Sequence, residues 1–325
     1  MFQKSFNQKR NELAKLDPYN SVSKISLNDI VEDKYYIGVK DVKEIPDSII
    51  EKLEASDLYI LHTLDKHSMG GRAVDINIKN PITGRCMTGS SSGTAVNVFT
   101  FINDLGIGTD GGGSVLAPAL SLNLYSFISP LIEKEKMVKY KKYSTDAILF
   151  SPSIGFITRN YDLLIETIKL ILPIQSKKTQ LKIISNIDDK TEYDFETIKC
   201  EYPFLYGGRE LLIKFLKNKL PKCDFLISKE GPIDVYGFGD SIFGSYGKDM
   251  KRIQMNSKKG LLRVVNMVNA TAITIPSEDL ATGYILICES NIEKISNMLE
   301  FAKKFKQIDF EVSDRYFKNL DMYDI

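Results

Sequence analysis

This sequence is poor in the residues that most hydrolytic and metal centres are built from. Only two histidines, His62 and His67, occur in 325 residues. A metal site made of several histidines is therefore excluded, and a Ser-His-Asp triad is limited to two candidate bases. The four cysteines, Cys86, Cys200, Cys223 and Cys288, are scattered and form no C-x-x-C pair. That argues against a structural zinc site and against a disulfide framework. Neither sign of charge is in excess: 43 Lys+Arg stand against 42 Asp+Glu, a formal net charge of +1. A nucleic-acid partner, which a basic surplus would announce, is not expected. A run of about 18 apolar residues, the length of a membrane span, is also missing. The opening MFQKSFNQKRNELAKL is polar and charged, unlike an export signal. With scattered thiols, the expectation is a cytoplasmic protein without a membrane partner.

What is present is the make-up of a globular protein. Apolar residues are 43% and charged residues 26%, enough to bury a large core and too apolar for disorder. Residues 4–16 read as an amphipathic helix that docks on the body. Strands are expected at Tyr35–Lys40, Leu58–Leu64, Leu181–Ser185, Phe225–Ser228, Ala272–Ile275 and Tyr284–Cys288, with a strand end at 148–150. Helices are expected at Pro46–Leu53, 95–105, Tyr161–Leu172, Leu261–Ala270 and Ile292–Phe305. Strands and helices alternate, which predicts an α/β fold with a mixed central sheet and helices on both faces. No repeat or low-complexity linker divides the chain. One domain over residues 1–325 is expected, with residues 1–20 forming a helix packed on it.

The chemistry concentrates in three segments. Residues 106–114 (GIGTDGGGS) read as a glycine-rich loop. Consecutive glycines let several backbone N–H groups converge on one point, and Ser114 follows them directly. A phosphate cradle is the rival reading, because Gly106-x-Gly108-x-x-Gly111 matches a dinucleotide fingerprint. A helix is expected before this loop, however, and no acidic strand end follows it. The second segment, Gly89-Ser90-Ser91-Ser92-Gly93, offers hydroxyls without a base. Alone it reads as a turn or helix cap. The third is Lys40 at the end of the apolar run YYIGVK. It is either a snorkelling surface lysine or a buried amine with a depressed pKa, able to act as a base.

Taken together, these segments resemble the amidase signature family. The family's Gly-Gly-Ser-Ser-Gly-Gly-Ser-Ala motif stands here as Thr88–Ala95, its Gly-Thr-Asp-x-Gly-Gly-Ser motif as Gly108–Ser114, and its Val-Lys-Asp strand end as Val39-Lys40-Asp41. Ser90 lies 24 residues before Ser114, which matches the family spacing. Weaker similarity continues through Leu16–Asn20, Asn80-Pro81, Ile154–Arg159, Val265–Pro276 and Tyr284–Lys304. The resemblance implies an amide hydrolase acting on linear C–N bonds, with Ser114 as nucleophile, Ser90 as proton relay and Lys40 as base. It implies a cis peptide at Ser90 and an oxyanion hole from the backbone N–H groups of Gly111, Gly112 and Gly113. Met69 and Gly89 are expected to touch a small-molecule amide, with His67 as another candidate for the cleft. No cofactor and no metal are implied, and a homodimer is left open.

Three departures stand against the family pattern. Lys40 lies only 50 residues before Ser90, a shorter separation than the family's. Leu116 replaces an arginine that pairs with the motif aspartate, so Asp110 needs another partner. Leu124–Pro130 replaces a Gly-Leu-Lys-Pro-Thr stretch. They keep two other readings in play: an inactive amidase-like binding protein and an amidotransferase-type glutaminase subunit. His62 is expected to be a satisfied core histidine, and Cys86 to be packing.

Overall fold

Alternation along the strands decides which residues meet which helices. The computed structural model describes residues 4–27, 29–175, 180–187, 198–305 and 310–323. Eleven strands form one sheet: β1 (Val22–Ile25), β2 (Tyr35–Lys40), β3 (Tyr59–Asp65), β4 (Leu105–Asp110), β5 (Tyr125–Ser129), β6 (Ser153–Thr158), β7 (Ile183–Ser185), β8 (Ile198–Lys199), β9 (Phe225–Glu230), β10 (Ala270–Pro276) and β11 (Gly283–Glu289). Their spatial order is β1-β3-β2-β4-β6-β5-β10-β11-β9-β7-β8. The sheet is mixed. β2 runs parallel to β3 and β4, β7 runs parallel to β8 and β9, and the remaining pairs are antiparallel.

Helices cover both faces. On one, α2 (Asp47–Glu54), α5 (Tyr161–Ile171) and α7 (Ile292–Ala302) meet Ile37, Val39, Ile107, Phe127 and Leu286. On the other, α3 (Ser92–Phe99), α4 (Leu116–Leu120) and α6 (Arg209–Lys219) meet Ile128, Ile285 and Ile287. Strands buried on both faces need apolar side chains at successive positions, and β11, Gly-Tyr-Ile-Leu-Ile-Cys-Glu, supplies them.

Helix α1 spans Phe6–Leu16; residues 1–3 of the expected N-terminal helix lie outside the described residues. It starts later than expected because Ser5 and Gln8 form a reciprocal capping box. Its anchor is Arg10, whose fork donates to both oxygens of Asp104 at 2.8 and 2.9 Å while Nε donates to the Phe101 carbonyl. Leu13 and Ala14 are buried in a small cluster with Val22, Ile102 and Leu320.

Three expectations are corrected. Residues 106–110 are not a loop but part of strand β4, and the glycine-rich turn is confined to 111–114. Gly108 belongs in that strand because α3 packs over it: a Cβ there would lie 2.6 Å from Ser91 Oγ. Helix α3 is displaced towards the N-terminus of the expected 95–105. It ends where Phe101 turns to a left-handed φ of 64°. Leu261–Ala270 is not a continuous helix but two short 3-10 turns, Leu261–Arg263 and Asn266–Val268, the second stopped by Asn269 at φ 53°.

The anchoring of α1 gives a direct test. Leu13 is fully buried and Leu16 is 51% exposed. Leu13→Ala should lower unfolding free energy by about 2–5 kcal/mol, and Leu16→Ala by less than about 0.5 kcal/mol. Urea unfolding of the two variants measures both, and equal losses would contradict the docking of this helix.

Candidate active site

Strand β2, third in the order of eleven, ends on Lys40. Ile37 and Val39 belong to one core, so Lys40 points to the opposite side. Its side chain is buried, and Nζ donates to Ser90 Oγ at 2.8 Å and to Thr109 Oγ1 at 2.9 Å. An ammonium out of water is costly, so burial pulls the Lys40 pKa down to about 8. Lys142 pushes it further down; Asp110 and Glu44 push it up.

Ser90 belongs to the turn that leads into α3. Gly89 reverses the chain with φ +70°, and a Cβ there would strike the Pro118 ring at 2.5 Å. Ser91 N–H donates to the Ser114 carbonyl at 3.1 Å, tying the serine turn to the glycine turn. Ser92 Oγ donates to Asp75 at 2.6 Å and fixes the start of the helix.

The glycine turn is organised by Asp110. Its buried carboxylate accepts the N–H groups of Gly113 (2.8 Å), Val115 (2.7 Å) and Leu116 (3.3 Å). Burial pushes its pKa up, against the pull of these three donors. The partner that Asp110 needed in place of an arginine is therefore backbone. This corrects one expected donor: the Gly113 N–H is bonded to Asp110 and cannot serve an oxyanion. Among the described residues, none accepts the N–H groups of Gly111, Gly112 or Ser114.

Lys40, Gly89, Ser90, Gly111, Gly112, Gly113 and Ser114 all line one open cavity of about 780 Å³. The Ser114 hydroxyl is half-buried on its wall, with no hydrogen bond to another described residue. Two further expectations fail. The peptide bonds at Ser90 are trans, and among the described residues the one cis bond is Gly231–Pro232. Trans is the strongly preferred form for a non-proline residue, and the left-handed Gly89 supplies the chain reversal. Met69 is not in the wall; it is 71% exposed, and His67, Gly70, Gly71 and Arg72 line that side.

Four wall residues, Thr109, Arg209, Lys259 and Arg263, are not among the expected site residues. Thr109, the second partner of Lys40, sits inside the Gly-Thr-Asp motif. Arg209 forks onto Asp146, with Nε–Oδ2 at 2.7 Å. Lys259 pairs with Asp234 at 2.6 Å with both side chains buried. Arg263 donates to the carbonyls of Gly260, Leu205 and Gly207. Outside the cavity, His62 is a buried core residue: Asn103 Oδ1 lies 2.9 Å from its Nδ1, and burial lowers its pKa to about 4. Cys86 is half-buried beside Lys79. Among the described residues no three His, Cys, Asp or Glu side chains gather as a metal site, and no helix is long and apolar enough to cross a membrane.

Comparison with known proteins follows the same geometry. No protein-family model matches the chain. Amidase 1 of Oryza sativa subsp. japonica is 33% identical over 119 residues, a stretch covering 33% of this chain and 26% of that protein. The match thus spans about a quarter of the relative's length. Among solved structures, a chain of the Glutamyl-tRNA(Gln) amidotransferase of Thermotoga maritima superposes with a TM-score of 0.58 at 13% identity, covering 92% of this chain and 94% of that one. The Kluyveromyces lactis allophanate hydrolase gives 0.60 at 14% identity, covering 95% and 71%. The mixed sheet with helices on both faces is the fold of these neighbours.

The charges around Lys40 make its titration adjustable with a known sign. Removing the cation in Lys142→Gln should raise the Lys40 pKa above about 8, and removing the anion in Glu44→Gln should lower it. NMR of the lysine ε-carbons, with Lys40→Arg to identify the signal, reads both shifts. A Lys40 titrating at an ordinary lysine pKa would contradict its burial.

Proposed function

We propose that this chain, a member of the amidase signature family, hydrolyses a small-molecule amide with Ser114 as nucleophile. One observation carries the reading. A buried amine, with its pKa lowered to about 8, touches Ser90 at 2.8 Å in the cavity that Ser114 also lines.

The chemistry follows from these positions. Lys40, when neutral, takes the Ser90 proton, and Ser90 takes that of Ser114. The Ser114 oxygen attacks the amide carbonyl. The resulting oxyanion meets the open N–H groups of Gly111, Gly112 and Ser114, aimed where negative charge develops. The proton returns through Ser90 to the leaving nitrogen, the C–N bond breaks, and water releases the acyl group by the same relay. The base is a lysine, so the two histidines have no part in the scheme. The chain acts without a cofactor in this reading, and no nucleic acid takes part.

A second reading, a binding protein on the same fold, has one observation in its favour: Ser90 and Ser114 are not hydrogen-bonded to each other. Catalytic hydrogen bonds are often loose before substrate arrives, so the distinction falls to reactivity.

A fluorophosphonate probe followed by intact-mass analysis separates the two. One adduct is expected, absent in Ser114→Ala. The labelling rate should rise about tenfold per pH unit below pH 8 and level off above it, as Lys40 loses its proton. Lys40→Ala should slow labelling by about 10²-fold or more. Labelling that survives Ser114→Ala, or no labelling at pH 9, would sink the hydrolase reading.

A further inference from the structure

Ser90 is held in place by its two neighbours. On one side the Ser91 N–H donates to the Ser114 carbonyl. On the other the Gly89 N–H donates to the Ala73 carbonyl at 2.8 Å. That second bond extends, by one residue, the short ribbon of Val74–Lys79 and Cys86–Thr88, in which Val74 faces Thr88. The position of the Ala73 carbonyl therefore sets where the serine turn begins.

The chain before Ala73 gives this carbonyl little support. A Cβ built on Gly70 or Gly71 would meet nothing within 4 Å. Thr88 Oγ1 reaches the carbonyl at 3.5 Å. Further support comes from a distant segment, residues 234–259. Lys259 Nζ donates to the Ala73 carbonyl at 3.3 Å. The same nitrogen lies 2.6 Å from Asp234 Oδ2, with both side chains buried. Asp234 is itself fixed: its Oδ1 accepts the Gly239 N–H at 2.9 Å, and its own N–H donates to the Ser257 carbonyl at 3.0 Å. Gly239 closes over the lysine, where a Cβ would lie 2.6 Å from Cδ and 2.9 Å from Nζ. Asp240, next to it in the chain, accepts from Arg72 Nε at 3.0 Å. The two acids of this loop thus grip residues 72 and 73. A buried ion pair is a poor source of stability, since apolar residues of the same volume often serve as well. What this pair adds is geometry, a cation fixed against one carbonyl.

We propose that Lys259 is a positioning residue: held by Asp234, it fixes the Ala73 carbonyl, and through the Gly89 N–H it keeps the Ser90 hydroxyl within reach of Lys40. The proposal rests on the reading of Ser90 as the proton relay. Lys259 acts through Ser90 and takes no proton itself. Losing the pair would leave Lys40 and Ser114 in place and let the serine turn drift. The rate would fall at every pH, and the Lys40 titration would stay where it is, because the pair carries no net charge.

Amide hydrogen exchange read by NMR tests the positioning without any chemistry. The variant carrying both Asp234→Asn and Lys259→Met removes the two charges together, since a buried Asp234 left alone would destabilise the fold. Its Gly89 N–H should exchange about tenfold faster, while the amides of β11, a strand paired on both edges, keep their rates. A general loss of stability would speed both together. In the labelling experiment this variant should react about tenfold more slowly, with the midpoint still at about pH 8. In a Ser90→Ala background the same two changes should have no further effect. Asp234→Asn alone, which keeps the shape of the pair, is the second variant and should move both readouts in the same direction. Gly89 exchange that is unchanged, or that rises only in step with β11, would overturn the proposal, as would equal slowing with and without Ser90. If the unsubstituted protein takes no label, the hydrolase reading falls, and exchange at Gly89 still decides whether Lys259 holds the serine turn.

Discussion

The site depends on one buried contact, the Lys40 amine between Ser90 and Thr109. Three segments far apart in sequence must meet for it to form: the end of β2, the serine turn and the end of β4. A lysine in this place is stable only if hydroxyl partners surround it and its charge is easily given up. Both conditions hold. The same burial that makes the residue awkward for folding lowers its pKa to about 8, which is what a base at neutral pH requires.

Asp110, buried next to Thr109, plays the matching part for the glycine turn. Its carboxylate draws in three backbone N–H groups and so shapes the turn that carries Ser114. An arginine partner is dispensable because these donors satisfy it. One consequence is chemical. With Gly113 engaged, the open donors are Gly111, Gly112 and Ser114. The hydrogen bond from Ser91 N–H to the Ser114 carbonyl keeps the two turns in register.

Much of this was legible in the chain. Tyr35–Lys40 reads as a strand because its apolar residues meet two faces, and the serine and glycine motifs stand out by composition. β4 was misread because Gly106 and Gly108 look like loop residues. They are strand residues that make room for α3, and a packing demand of that kind leaves no local signal. Met69 was misplaced because its segment carries two positive-φ glycines, Gly70 and Gly71, that line the wall while the methionine points outward. Arg209, Arg263 and Lys259 escaped notice because their partners lie far along the chain. Ion pairs such as Arg209–Asp146 and Lys259–Asp234 exist only once the sheet has brought those segments together.

The central claim is that a lysine–serine relay activates Ser114 against a cradle of open N–H groups. The most direct measurement is a crystal structure of the protein with a small trifluoromethyl ketone amide mimic. The account predicts a tetrahedral adduct on Ser114 Oγ. Its oxyanion should lie within about 2.7–3.1 Å of the Gly111 or Gly112 N–H groups, with Gly113 still bonded to Asp110 and Lys40 within reach of Ser90. An adduct on another residue, or a Ser114 adduct whose oxyanion faces solvent, would contradict it.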